Sequence, residues 1–273
     1  MMTLYIVPTP IGNLEDITLR ALRVLKSVKL IAAEDTRTTR FLLKHFEIDT
    51  PLTSYHEHNK LTKLDAIFAA LADGDVALVS DAGTPGINDP GYELIREAVA
   101  RGVKIEPLPG ASAAITALVA SGLPTDGFIY LGFLPKKDKA RADFLSPFVD
   151  EPRTLILYES PNRLVEALEA LAQALGDRPA CVAREITKLH EEFQRGLLSA
   201  IAAHYRAQPP RGEIVIIVGG APPRVIETWD EDRVRAALEV RRAAGEPLKV
   251  AAKAVAAESG WDRRSVYALG LDN

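Results

Sequence analysis

The stretch Ser80-Asp81-Ala82-Gly83-Thr84-Pro85-Gly86-Ile87-Asn88-Asp89-Pro90-Gly91 constrains the fold most, because it separates two segments of opposite periodicity. Before it runs the apolar Val76 to Val79, which reads as a buried strand. After it, Leu94, Ile95, Ala98 and Val99 follow helical spacing from Tyr92 onward. The stretch is therefore a strand-to-helix loop, with Asp89 suited to the helix N-cap and Pro90 to the first helical position. Its glycines let the backbone approach a ligand, and such a loop lies at the carboxyl end of a sheet strand, where open α/β folds bind small molecules. No Gly-Lys-Ser/Thr follows, the spacing is not that of a dinucleotide fingerprint, and Asp81 would repel phosphate. A carboxylate beside free backbone N–H groups suits a ligand carrying hydroxyls, a cation and an anion together. The plainer alternative is a surface turn without a ligand.

The chain has 273 residues, room for two ordinary domains or one large one. Hydrophobic residues at 47% and charged residues at 26% describe a globular protein, and a net charge of -4 means that a nucleic-acid partner must be met by a local patch. A single cysteine, Cys181, excludes an internal disulfide and thiolate zinc clusters and reads as a buried, inert thiol. No apolar run approaches membrane-spanning length and Met1-Met2-Thr3-Leu4-Tyr5 has no basic signal region, so a cytoplasmic location is expected.

Strand-like and helix-like segments alternate from the start. Leu4 to Val7 reads as a strand entering the loop Pro8-Thr9-Pro10-Ile11-Gly12-Asn13; Asp16 or Thr18 can cap a helix with Leu19, Leu22 and Leu25 on one face. Lys29 to Ala33 is a second strand, ending in Glu34-Asp35-Thr36-Arg37-Thr38-Thr39-Arg40, either a substrate clamp or a capped, charged helix start. Leu64, Ile67, Phe68 and Leu71 mark a helix closed by Gly74. Val103 to Leu108 is a strand leading into Pro109-Gly110-Ala111-Ser112-Ala113-Ala114 and a small-residue helix. Gly110 to Ala114 lacks the second glycine of a nucleophile elbow, so a serine hydrolase using Ser112 competes with Ser112 as a helix cap. This alternation implies a mostly parallel sheet over residues 1–122.

After the linker Leu123-Pro124-Thr125-Asp126-Gly127, a second α/β set covers residues 123–224. Its strands are Phe128 to Phe133, Thr154 to Tyr158, Pro179 to Arg184 and Glu213 to Val218; its helices run near Ala140 to Phe148, along Leu164, Leu168, Leu171 and Leu175, and over Leu197 to Ala207. Lys136, Lys137, Lys139 and Arg141 form a basic cluster, and Arg184-Glu185 again puts charges at a strand end. His56-Glu57-His58 could contribute metal ligands but has no third ligand nearby; a solvated loop and no metal are expected. Residues 225–273 carry three short helical segments, the last two with helix-turn-helix spacing and Arg263 and Arg264 at the start of the second. Acids match bases there, so a packing domain competes with a nucleic-acid reader.

Several ordered motifs then combine: Val7-Pro8-Thr9-Pro10-Ile11-Gly12-Asn13-Leu14, Ala33-Glu34-Asp35-Thr36-Arg37, the opening loop, Pro107-Leu108-Pro109-Gly110-Ala111-Ser112-Ala113, Gly132-Phe133-Leu134-Pro135 and Tyr158-Glu159-Ser160-Pro161. Together they resemble the ribosomal RNA small subunit methyltransferase I family, a bacterial branch of the tetrapyrrole methylase superfamily, over nearly the whole chain. The resemblance implies two α/β domains of tetrapyrrole-methylase type with the cofactor cleft between them and a small C-terminal helical domain. It implies S-adenosylmethionine-dependent 2′-O-methylation of a cytidine ribose in the decoding region of 16S rRNA, by a homodimer acting on the small ribosomal subunit. It places the cofactor against Pro8, Ser80, Asp81, Ala82, Gly83, Thr84, Pro85, Gly86, Gly110, Ala111, Ser112, Ala113, Leu131 and Gly132. Candidates for positioning or deprotonating the ribose hydroxyl are Glu34, Asp35, Arg37, Arg184 and Glu185, at strand ends facing the expected cleft. The first loop departs from the glycine-rich form of relatives that modify tetrapyrroles, which favours the RNA branch over a corrin or precorrin methyltransferase.

Overall fold

The computed structural model describes residues 2–56, 60–223 and 228–271. Glu57 and His58 of the metal-ligand reading lie outside the described residues. Residues 1–221 form one compact unit and residues 222–273 a second.

The first unit begins with a five-stranded, wholly parallel sheet built from β1 (Thr3–Ile6), β2 (Leu30–Ala33), β3 (Leu52–Ser54), β4 (Val76–Val79) and β5 (Lys104–Pro107), in the order β3-β2-β4-β1-β5. The connecting helices are α1 (Leu19–Ser27), α2 (Thr36–His45), α3 (Lys60–Asp73) and α4 (Tyr92–Ala100). Every residue of β4 is buried, as the central strand of a sheet covered on both faces must be. Thr18 caps α1 by accepting from the Ala21 N–H, and Asp35 caps α2 by accepting from the Arg37 N–H.

A second sheet, ordered β6-β7-β10-β8-β9, comprises β6 (Phe128–Phe133), β7 (Thr154–Glu159), β8 (Pro179–Arg184), β9 (Glu192–Leu197) and β10 (Ile214–Val218). It is mixed: β6 and β7 are parallel, whereas β10 runs antiparallel to both its neighbours and β9 antiparallel to β8. α6 (Asp138–Leu145), α7 (Leu164–Leu175) and α8 (Leu198–Ala207) cover one face. The leucine stripe of α7 lies in that core, each buried leucine worth about 1.5–3 kcal/mol. The other face receives α5 (Ala113–Ser121), whose Ala114, Ala117 and Leu118 pack with Ile156, Cys181, Val215 and Ile217. A helix that follows a strand of the first sheet thus supplies core to the second, and this shared core joins the two sheets in one unit. Cys181 is fully buried, and burial pushes its thiol up.

Three expectations change. Asp89 does not cap α4: Gly91 takes that position without a side-chain bond, because the loop folds back until a Cβ on Gly91 would stand 3.1 Å from the Gly86 nitrogen. That turns Asp89 inward. Arg141 leaves the basic cluster: it is buried and bonds Asp138 and Glu166, each at 2.7 Å, while Lys136, Lys137 and Lys139 stay exposed. Edge strands β3 and β9 add to the expected set.

The second unit contains α9 (Glu231–Ala243), α10 (Leu248–Ser259) and α11 (Arg263–Leu269) around Val234, Leu238, Ala251, Ala252, Val255 and Val266. Asp230 and Asp262 cap α9 and α11, and Gly260 ends α10 at φ 71°, a left-handed position. Among the described residues, no helix is long and apolar enough to cross a membrane.

Candidate functional site

The loops leaving the carboxyl ends of β1, β2, β4 and β5 meet on one side of the first sheet and are tied by backbone and side-chain bonds. Thr9 and Gly83 exchange two backbone hydrogen bonds of 2.9 Å, and the Thr84 hydroxyl donates to the Ala111 carbonyl at 3.0 Å. The Asp81 carboxylate accepts from the Asp35 backbone N–H at 3.0 Å. Gly110 lies so close to Pro8 that a Cβ would come within 2.6 Å of the proline Cβ, and Gly83 and Gly86 hold φ of 81° and 85°. The four loops make one wall.

Opposite stands the second sheet, and between them opens a cleft of about 520 Å³, within the range of small-molecule sites. From the first half it is lined by Ile11, Glu34, Asp81, Ala82, Gly83, Thr84, Ile87, Asn88, Asp89, Ser112 and Ala113; from the second by Phe133, Tyr158 to Pro161 and Gly212 to Val215. Six of the residues expected to hold or act beside a cofactor on the first-sheet side therefore share this cavity with Glu34: Asp81, Ala82, Gly83, Thr84, Ser112 and Ala113. Pro8, Ser80, Pro85, Gly86, Gly110 and Ala111 are not among its lining residues. Leu131 packs against the core of the second sheet. Gly132, at a bulge in β6 with φ 67°, leaves room for Asn88, whose Oδ1 accepts from the Tyr130 hydroxyl at 2.7 Å. This contact links the opening loop to β6.

The five candidate catalytic side chains separate. Glu34 lines the cleft. Asp35 is occupied as helix cap and in an ion pair with Arg37, which holds its carboxyl down to about 2; Arg37 is 88% exposed. Arg184 pairs with Glu192 at 2.8 Å and donates to the Arg211 carbonyl. Glu185 accepts from the Lys188 ammonium at 2.8 Å and from the Glu213 backbone N–H at 3.0 Å. Arg184 and Glu185 thus stand beside the Gly212–Glu213 edge of the cleft with their charges already matched. Ser112 occupies the N-cap position of α5 but makes no capping bond, and no histidine lines the cavity, so the triad a serine hydrolase needs is missing from this wall among the described residues.

Asp89, expected only as a cap, is the residue sequence reasoning missed. Burial first, then the charges of Glu34 and Asp81, raise its carboxyl to about 6, partly offset by the Ser80 hydroxyl. Burial also raises Glu34 and Asp81, and each feels its acidic neighbours. Tyr130 and Tyr158 are pushed up by burial as well. Three carboxylates held above their ordinary range in one half-enclosed cavity form a site that a bound cation would relax. The signal available in the sequence was the recurrence of acids at three loop positions, Glu34, Asp81 and Asp89, which only the sheet order brings together.

Residues 3–202 match the family model of tetrapyrrole (corrin/porphyrin) methylases. The chain belongs to that family. Among its relatives, the ribosomal RNA small subunit methyltransferase I of Synechocystis sp. is 45% identical over 274 residues, covering 100% of this chain and 98% of the relative. The protein of the same name from Halalkalibacterium halodurans is 47% identical, covering 97% and 93%. As a tetrapyrrole methylase, the chain also shares its fold with uroporphyrin-III C-methyltransferase from Thermus thermophilus, solved in complex with S-adenosyl homocysteine. The TM-score is 0.56 at 21% identity, covering 79% of this chain and 96% of that one. The methylase match takes in both sheets' cleft-facing loops up to Pro161, but stops before Gly212 to Val215.

Proposed function

We propose that this protein transfers a methyl group from S-adenosylmethionine to the 2′-hydroxyl of a cytidine ribose in the decoding region of 16S rRNA. The observation that carries the reading is full-length identity of 45–47% to relatives named ribosomal RNA small subunit methyltransferase I, which makes the chain an rRNA methyltransferase of the small subunit. The ribose, the cytidine and the site within the RNA are the finer part of the proposal.

The cleft's residues fit the cofactor. Glu34, Asp81 and Asp89 offer negative charge to a sulfonium and an ammonium, and the Ser112 hydroxyl, which makes no capping bond, offers a polar partner to the ligand's hydroxyls. Phe133, Ile87 and Val215 give apolar surface for an adenine ring. S-adenosylmethionine supplies an already activated methyl group, so the protein's task is alignment, exclusion of water and acceptance of one proton. Of the five candidates, Glu34 is the carboxylate inside the cleft, and burial raises its pKa, the direction that suits a proton acceptor. Asp35 and Arg37 orient the start of α2 next to it, and Arg184 and Glu185 brace the opposite edge. We place the protein in the cytoplasm, working as a homodimer.

Incubation with methyl-labelled S-adenosylmethionine and 30S subunits, followed by mapping, tests the reading. Label on a single ribose is expected. Label on a base would overturn the chemistry, and transfer to a tetrapyrrole but not to 30S subunits would return the chain to the macrocycle branch of its fold.

A further inference from the structure

The cleft leaves the outward face of α2 without a role. That helix contains no acidic residue; Arg37, Thr38, Arg40, Phe41, Lys44 and His45 are exposed, while Thr39, Leu42 and Leu43 are buried. Arg37, Arg40, Phe41 and Lys44 recur at spacings of three and four, so they share one side of the helix. In a chain of net charge -4, this is a local positive strip with an aromatic ring, 69% exposed, in its middle.

Phe41 is also the rim of a cavity. A pocket of about 160 Å³ opens between α2 and the loops after β1 and β4, with Pro10, Thr38, Thr39 and Asp81 among its walls. Asp81 lines the large cleft too, so the two cavities meet at that residue. Thr39 is only 3% exposed, and its hydroxyl has no hydrogen-bond partner among the described residues. A helical threonine has two accessible χ1 wells, so that hydroxyl can turn toward a ligand's polar edge. The pocket is below the roughly 300 Å³ at which cavities hold drug-sized molecules, and well short of a macrocycle. It suits a single ring.

We propose, building on the rRNA-methyltransferase reading, that this face of α2 is where the RNA strand docks, with the target base unstacked onto Phe41 and its edge in the pocket at Thr38 and Thr39. Arg40 and Lys44 hold flanking phosphates. Seating the base there sets its ribose at the Asp81 boundary, beside the cofactor cleft, which is the geometry an in-line transfer to a ribose hydroxyl requires. Stacking on an exposed aromatic side chain and salt-sensitive phosphate contacts are the two forces that single-stranded nucleic acid offers a protein surface.

Steady-state methylation of 30S subunits by F41A, F41W and R40Q/K44Q, alongside calorimetry of S-adenosylmethionine binding to each, tests this. F41A should raise KM for 30S subunits about tenfold or more, and F41W, which keeps the stacking surface, should restore it. R40Q/K44Q should weaken binding and flatten the plot of log KM against log salt by about 2. Cofactor affinity should be the same in all three. Wild-type KM in F41A, or an unchanged salt slope in R40Q/K44Q, overturns the docking proposal while leaving the methyltransferase reading standing. Absence of transfer to 30S by the wild-type protein overturns that reading itself. Should F41A lose cofactor binding, the salt slope of R40Q/K44Q decides.

Discussion

Replacing Asp89 by Asn removes one of three carboxylates from the cleft, and the folded chain should become more stable above pH 6 as a result. Asp89 is raised to about 6, chiefly by burial and then by Glu34 and Asp81, against an ordinary value near 4 in the unfolded chain. A carboxyl raised on folding contributes stability that is fully present below about pH 4 and is lost as pH rises through 6, where the folded protein must ionise it. The gap between those values corresponds to about 3 kcal/mol at most. The carboxyl is partly open to water, so screening leaves about 1–2 kcal/mol. Thermal unfolding at pH 8 should therefore show D89N melting about 2–6 °C above wild type, with the difference vanishing near pH 4. The same variant should bind S-adenosylmethionine more weakly at pH 8, and lose much less affinity for S-adenosylhomocysteine, which lacks the sulfonium charge. A D89N protein that melts at or below the wild-type temperature at pH 8, or weakens both ligands equally, would refute the electrostatic account.

Other substitutions in the same walls have expected outcomes. Gly110→Ala should overpack against Pro8, 2.6 Å from the new Cβ, at a cost of about 1–3 kcal/mol; unfolding in urea reads it as a lower midpoint, and calorimetry as weaker cofactor binding. Asp81→Lys should abolish most S-adenosylmethionine affinity while circular dichroism stays that of the wild type; unchanged affinity would remove the opening loop from the site. Glu34→Gln should lower kcat and also weaken S-adenosylmethionine binding, with kcat still reduced at saturating cofactor, whereas Asp35→Ala and Glu185→Ala, if both retain full transfer with cofactor bound, would drop out of the catalytic set.

Where a segment's fate is decided locally, its sequence was enough. The apolar run of β4 and the leucine stripe of α7 begin and end at the residues their patterns indicate, because burial on both faces or along one stripe leaves no other choice. β3 and β9 were illegible for the opposite reason. Both are edge strands without an apolar run: β3 is three half-buried residues, and β9, Glu192–Leu197, carries charge where a central strand would carry valine. The direction of β10 could not be read either, since antiparallel insertion depends on which strands it finds on either side. Asp89 shows the limit most plainly. Asp-Pro before a helical run is a sound cap signal, yet the close approach of Gly91 to Gly86 is a tertiary fact, and it moved the carboxylate from the helix to the cleft. Asp35, with the same kind of signal and no such constraint, caps its helix as expected.

The order of the second sheet sets a timetable for biosynthesis. All five strands of the first sheet have emerged by Pro107, so the amino-terminal half can assemble while the remainder is still being translated. β10 is the central strand of the second sheet and the last to be made, so the pairs β6–β7 and β8–β9 wait until Val218 for the strand that joins them. The cleft needs Gly212 to Val215 from that strand and the turn before it. A nascent chain therefore carries a finished first wall for about a third of its synthesis and acquires a complete site only within its last quarter, and a frame truncated before Gly212 would lack the Gly212 to Val215 side of the cavity.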